Sequence, residues 1–152
     1  MKKPQPALGL VIRYDYLWRD EVVRGHREGV KERPCAIVVA RQTVNGKQPQ
    51  VLLVPITHSP PKNPNGAVEI PPKVKQHLGL DQERSWIIVN ELNSVAWDDA
   101  GIVPVSRTHW EYGFLPGKLA QILIDRIIEQ QQCGKLKITD RVQIEKQQSR
   151  DV

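Results

Sequence analysis

Two short segments carry the residue types that could do chemistry. The first is Glu28-Gly29-Val30-Lys31-Glu32-Arg33-Pro34, which runs straight into the apolar stretch Cys35-Ala36-Ile37-Val38-Val39. The second is an apolar stretch that ends Val54-Pro55-Ile56-Thr57-His58-Ser59. With His26, they put a carboxylate, a guanidinium, a hydroxyl and two imidazoles at or near strand mouths, where loops present reactive groups at a surface. These are the groups needed to cut a phosphodiester without a metal. In RNA the 2′-OH serves as the nucleophile. A base takes its proton, an acid protonates the departing 5′-oxygen, and cations stabilise the phosphorane. General acid–base help typically contributes ~10²–10⁴-fold, and one well-aimed donor about 10²–10³.

Each residue has a candidate role and an ordinary one. Arg33 offers a planar fork that can hold two phosphate oxygens, which Lys cannot reproduce; its ordinary role is a surface ion pair. Thr57 follows a strand-end proline, and its hydroxyl can bond a phosphate oxygen or align the 2′-OH, or simply cap a turn before the Pro-rich loop. Glu28 can be the general base or can hold Arg33 in place, and otherwise is a solvated loop carboxylate. His26 and His58 titrate in the range suited to proton transfer near neutral pH; either can be the leaving-group acid, and the sequence does not choose between them. Arg24, Arg27 and Lys31 would form a basic rim for RNA, or a solvated mixed-charge loop with Asp20, Glu21 and Glu32. Of the four tryptophans, Trp18 at a strand end is the candidate for stacking on a base. Trp86 and Trp97 sit in strand patterns and read as core or dimer-interface residues.

Other chemistries lack their signatures. There is no Gly-rich phosphate loop, no His-x-x-x-His pair on a helix and no cysteine pair at zinc spacing, so neither metal nor cofactor is expected. Cys35 reads as a small buried hydrophobe and Cys133 as incidental. His77 and His109 are isolated.

The elements that must position these groups are mostly short strands. Residues 8–18 read as a first strand with Leu8, Leu10, Ile12, Tyr14 and Tyr16 on one face. Residues 19–32 are dense in both charges without an apolar period and read as a mobile loop. Residues 34–40 and 51–56 are β-branched apolar runs suited to central strands, with Asn45-Gly46 marking a hairpin turn between them. Residues 58–66 form a Pro-rich exposed loop. A short strand is expected at 67–70 and a short helix from Pro71-Pro72 to Gly79. Further strands are expected at 85–89 and 94–97, and a loop at 107–115 that packs Trp110, Tyr112 and Phe114 over the core. Residues 116–132 form the clearest helix, with Leu119, Ile122, Leu123, Ile127 and Ile128 as its apolar stripe. Leu136 and Ile138 can add a strand within a polar C-terminal extension, 135–152, that is otherwise flexible. The expected fold is mainly β (α+β): a small, strongly bent sheet or barrel of five to seven strands, with a C-terminal helix and a short helix in an insertion.

Composition agrees with one domain of 152 residues, here 1–134 plus the extension. The net charge of +5, from 22 Lys+Arg against 17 Asp+Glu, permits phosphate contacts without demanding them. No apolar run approaches the ~20 residues that span a bilayer, and prolines interrupt any signal-peptide core. A cytoplasmic protein is expected.

The order of the motifs resembles the PemK/MazF family of toxins from bacterial toxin–antitoxin systems. The shared pattern is a first strand (residues 9–16), a charged loop with Glu28, Arg33-Pro34 leading into an apolar strand, and Val54-Pro55-Ile56-Thr57. A later shared segment is Ile87-Ile88-Val89-Asn90-Glu91-Leu92-Asn93-Ser94-Val95-Ala96-Trp97, and a C-terminal helix follows. The resemblance covers roughly residues 8 to 130. It implies an SH3-like barrel that dimerises and cleaves single-stranded mRNA without a metal; the expected products are a 2′,3′-cyclic phosphate (or 3′-phosphate) and a 5′-OH. It also implies inhibition by a cognate antitoxin that fills the groove, and DNA binding together with that antitoxin. Arg33, Thr57, Glu28, His58 and His26 are the candidate catalytic set, and of these the resemblance carries Arg33, Thr57 and Glu28. Arg24, Arg27, Lys31, Ser59, Trp18 and Asn90 are the candidate substrate-binding set. The chain departs from the pattern in a longer insertion over 60–84, in Asn90 where the family often has Asp, and in residues past the terminal helix. Two other outcomes fit the same fold: a non-catalytic RNA- or protein-binding module, and a gyrase poison like the related CcdB toxins.

Overall fold

The computed structural model describes residues 1–29, 31–41 and 48–141. In chain order its elements are β1 (Leu10–Tyr14), α1 (Arg19–Val23), β2 (Arg33–Arg41), β3 (Gln50–Thr57), a 3-10 turn (Pro64–Gly66), β4 (Ala67–Glu69), α2 (Pro72–His77), β5 (Trp86–Ile88), β6 (Glu91–Ala96), β7 (Ile102–Val103), β8 (Gly113–Phe114), α3 (Gly117–Gln132) and β9 (Lys137–Asp140). The architecture is mainly antiparallel β with a few helices, an α+β arrangement.

β2 and β3 are the spine. They pair antiparallel with Cys35 opposite Pro55 and Ala36 opposite Val54, and a bulge falls between Ile37 and Val39. β1 covers the far side of β2, with Tyr14 opposite Arg33. The free edge of β3 is shared: its first half pairs with β6 and its last two residues with β5. β4 adds to β5, while β7 and β8 both add to β1. Among the described residues no pairing closes the sheet into a barrel.

The unbroken apolar character of β2 and β3 follows from burial on both faces, since a strand covered on one side only would alternate. Val11, Ala36, Val38, Val54 and Ile56 face one core, into which α3 packs Leu119 and Leu123. Their neighbours Leu10, Ile12, Cys35, Ile37, Val51 and Leu53 face a second core with Tyr14, Tyr16, Val95 and Trp97. Burial pushes the Cys35 thiol well above its ordinary pKa, so it behaves as the small hydrophobe expected.

Several expectations change. The strand expected over 8–18 shortens to five residues, and Leu8 is exposed. The stretch expected to be all loop, 19–32, contains α1. That helix is nucleated locally: the Glu21 carboxylate accepts the Trp18 backbone N–H at 3.0 Å, and Glu21 is buried. Phe114 does not pack over the core. It lies exposed on β8, whereas Trp110 and Tyr112 do pack inward. The buried stripe of α3 is rotated towards Leu119, Ala120, Leu123 and Gln130, leaving Ile122 and Ile128 exposed. Nine strands are described rather than five to seven. Beyond residue 134, β9 joins the sheet by a parallel pairing with β6. The expected Asn45-Gly46 turn, and the extension from 142 onwards, lie outside the described residues. No helix among the described residues is long and apolar enough to cross a membrane.

Candidate functional site

Because β2 and β3 are antiparallel, the start of one and the end of the other share one end of the sheet. Arg33 opens β2 and Thr57 closes β3, so the pairing of the two strands brings a guanidinium and a hydroxyl together from residues 24 positions apart. Both line a large open groove of about 1040 Å³ and an adjoining smaller cavity of about 210 Å³. Lys31 and Ser59 also line both.

The groove is lined by residues of α1 and by residues 59–63. Arg19, Arg24, Lys31, Arg33 and Lys62 line it against the acids Asp20, Glu21 and Glu91, an excess of two positive charges. Arg24 is partly neutralised by Asp20 at 3.4 Å, an exposed helical pair that contributes little. Arg33 is held differently. Its guanidinium carbon lies 5.0 Å from the centre of the Trp18 ring. The Trp18 ring in turn meets Tyr16 edge to face at 5.1 Å. Among the described residues no carboxylate lies within ion-pair distance of Arg33, and its buried Nε has no hydrogen-bond partner. A buried donor without a partner costs ~1–3 kcal/mol. The Trp18 ring holds the guanidinium by a cation–π contact, and no described carboxylate compensates its charge.

Thr57 Oγ1 accepts the Ser59 backbone N–H at 3.1 Å. That is the turn-capping role, but it uses only a lone pair, and the hydroxyl proton remains available to donate to an oxyanion. The far wall of the groove contains Asn90, against which the 3-10 turn packs so closely that a Cβ on Gly66 would lie 2.7 Å from Asn90 Nδ2. Beside it, Glu91 Oε1 accepts the Arg19 backbone N–H at 2.8 Å, and burial raises its carboxyl pKa.

His58 lines the smaller cavity. Its Nε2 lies 2.7 Å from Asp81 Oδ2 and 3.4 Å from Glu83 Oε2. Asp81 also accepts from the buried Lys75 ammonium at 2.7 Å, which further bonds Ser85 Oγ and the Glu83 carbonyl. The hydrogen bond from Lys75, reinforced by that of His58, holds the Asp81 carboxyl below its ordinary pKa. Ligand atoms of His58, Asp81 and Glu83 all fall within 4.8 Å of one another, so these three are the described residues able to gather around a cation. All three are exposed, and Lys75 already occupies one Asp81 oxygen.

The structure therefore gathers Arg33, Thr57, Lys31, Ser59, Arg24, Trp18 and Asn90 on one groove and puts His58 in the adjoining cavity. Glu28, His26 and Arg27 line neither. His26 lies 3.7 Å from Glu21 Oε2, and Glu28 is exposed close enough to Asp15 for its charge to act on that carboxyl. Sequence reasoning missed Arg19, Lys62 and Glu91 as groove residues. For Glu91 the signal was present, as a polar pair wedged between two apolar strands.

Comparison with protein-family models, with curated proteins and with solved structures finds no match to this chain. Its function must be argued from the groove itself.

Proposed function

We propose that the protein is a metal-independent endoribonuclease of the PemK/MazF toxin type, built on an SH3-like bent sheet. The observation that carries this reading is Arg33. Its guanidinium lies over the Trp18 ring, has no carboxylate within ion-pair distance among the described residues, and lines together with Thr57 a groove with excess positive charge. A single strand of RNA would lie along the groove between α1 and residues 59–63. Arg33 would hold the non-bridging oxygens of the scissile phosphate, and its charge would oppose the growing charge of the phosphorane. Thr57 would donate to the same phosphate. Lys31, Arg24, Arg19 and Lys62 would contact flanking phosphates, making affinity fall as salt rises. Proton transfer falls to Glu28, His26 or His58; the last lines the smaller cavity together with Arg33 and Thr57. Products would carry a 2′,3′-cyclic phosphate and a 5′-OH. Two copies of the chain would associate in the active form, burying apolar side chains that one copy leaves exposed, such as Phe114, Ile122 and Ile128. A cognate antitoxin would silence the toxin by filling the groove.

A second reading, a non-catalytic RNA-binding module, is favoured by one observation: Glu28 and His26, two of the three proton-transfer candidates, lie outside the groove walls. The test is incubation of the purified protein with mixed-sequence single-stranded RNA in excess EDTA. Cleavage at short sites with 5′-OH ends supports the nuclease. Retention of intact RNA with salt-sensitive affinity supports the binding module.

A further inference from the structure

A second buried cation, far from the groove residues in sequence, lies beneath the loop that leads to them. Arg141 follows β9 and is only 4% exposed. Its Nη1 donates to the Asp15 carbonyl oxygen at 2.9 Å and to Asn93 Oδ1 at 3.3 Å. Its Nη2 lies 3.4 Å from Asp15 Oδ2 and 3.5 Å from the Arg27 carbonyl oxygen. The guanidinium also sits 5.1 Å from the Tyr14 ring centre. One side chain thus joins the end of β1, the interior of β6 and the loop that carries Arg27 and Glu28.

The groups it touches are themselves anchors. Asn93 is fully buried and grips the Leu17 backbone from both sides, accepting its N–H at 3.0 Å and donating to its carbonyl at 2.9 Å. Leu17 immediately precedes Trp18, the platform under Arg33. On the other side the loop backbone is pressed onto the same segment: a Cβ on Gly29 would lie 2.4 Å from the Tyr16 carbonyl oxygen and 2.6 Å from that of Asp15. Only glycine permits that approach. The loop therefore has two fixed points, Arg27 through Arg141 and Gly29 through its contact, on either side of Glu28.

We propose that Arg141 is a positioning residue, clamping the loop of residues 24–29 and the Trp18 platform so that this one side chain, just after β9, sets the geometry of the cleavage site. The role needs arginine: four acceptors lie around its fork, and a lysine ammonium cannot meet them from one point. This inference rests on the nuclease reading for its effect on cleavage, but its effect on the loop does not.

The experiment compares the full chain with Arg141→Lys, Arg141→Ala and Asp15→Asn. Amide exchange over 24–29 and over β2 is read alongside single-turnover cleavage of a short RNA, normalised to the folded fraction. The expected result is faster exchange in 24–29 with β2 unchanged, and a fall of about 10–100-fold in the chemical rate, the scale set by misplacing a reacting group. The Lys variant is expected to lie near the Ala variant, because the fork rather than the charge is lost. Unchanged loop exchange in a folded Arg141→Lys protein would overturn the clamp. A loosened loop with a wild-type cleavage rate would overturn the positioning role. Collapse of all three variants would overturn it too, by making the network a requirement of folding. A wild type that cleaves no RNA would refute the nuclease reading alone, and loop exchange would still decide whether Arg141 holds the loop.

Discussion

Replacing Arg33 separates its role in chemistry from its role in the fold, because the structure predicts a large effect on one and a small effect on the other. In Arg33→Ala the phosphate loses its aimed cation. One such donor is worth about 10²–10³ in rate, or ~2.7–4 kcal/mol of transition-state stabilisation. The stability change has two opposing parts. Loss of the contact with Trp18 costs ~0.5–2 kcal/mol. Removal of the unpartnered Nε relieves ~1–3 kcal/mol. The two nearly cancel, so the melting temperature should shift by no more than about 2–4 °C for a chain of this size. Arg33→Lys keeps the charge but loses both the fork and the stack, and should behave more like the alanine variant than the wild type. The assay is single-turnover cleavage of a fluorophore-labelled RNA in EDTA, with thermal unfolding measured on the same preparations. Either of two results would refute the reasoning. One is a folded Arg33→Ala protein that cleaves at the wild-type rate. The other is a loss of activity that merely tracks a collapse in melting temperature.

Two further expectations follow from the same geometry. Thr57→Val should slow cleavage by about 10-fold or more, the lower end for losing one donor, with little change in melting temperature, because the Ser59 N–H it frees is exposed to water; Thr57→Ser should restore the rate. Asp81→Asn should destabilise the fold by about 1–3 kcal/mol, since the buried Lys75 ammonium loses a charged acceptor and keeps only Ser85 and a carbonyl. The sign of its pH dependence is fixed. The Asp81 carboxyl is lowered in the fold, so its contribution is fully present above the unfolded value near ~3.9 and is lost as pH falls through the lower folded value. The stability gap between wild type and Asp81→Asn, followed by denaturant unfolding, should be constant near neutrality and close only in acid.

The parts of the fold legible in the sequence were those whose signal is local. β2 and β3 showed as unbroken apolar runs because cores lie on both of their faces. α2 showed through Pro72 and through Gly79, which takes the left-handed backbone at φ +69°. α3 showed through its spacing, although the stripe was read half a face away from Ala120 and Gln130. What stayed hidden depended on partners distant in the chain. α1 has no apolar period and is set by a single carboxylate and by the wall it forms. β7 and β8 have two residues each and exist only as additions to β1. Arg141 looks like a tail residue until Asp15 and Asn93 are brought to it. Phe114 misled because an aromatic residue between Tyr112 and Leu115 looks like core. For the candidate site, Arg33, Thr57 and Trp18 were readable as groups at strand ends. Their convergence depends on strand register, and the distance of Glu28 from the groove walls depends on how Gly29 and Arg27 are tied down, which no spacing encodes.

The central claim, that this groove uses the RNA's own 2′-OH, is tested most directly by one substitution in the substrate. Once a cleavage site has been located, the nucleotide on its 5′ side is replaced by its 2′-deoxy counterpart, and the two RNAs are incubated with the wild-type protein in EDTA. The account predicts that the all-ribose RNA is cut to a 2′,3′-cyclic phosphate and a 5′-OH, while the 2′-deoxy RNA stays intact at that site yet binds with similar affinity. Cleavage of the 2′-deoxy RNA at the same position would contradict it, since water or another nucleophile would then be doing the work assigned to the 2′-OH.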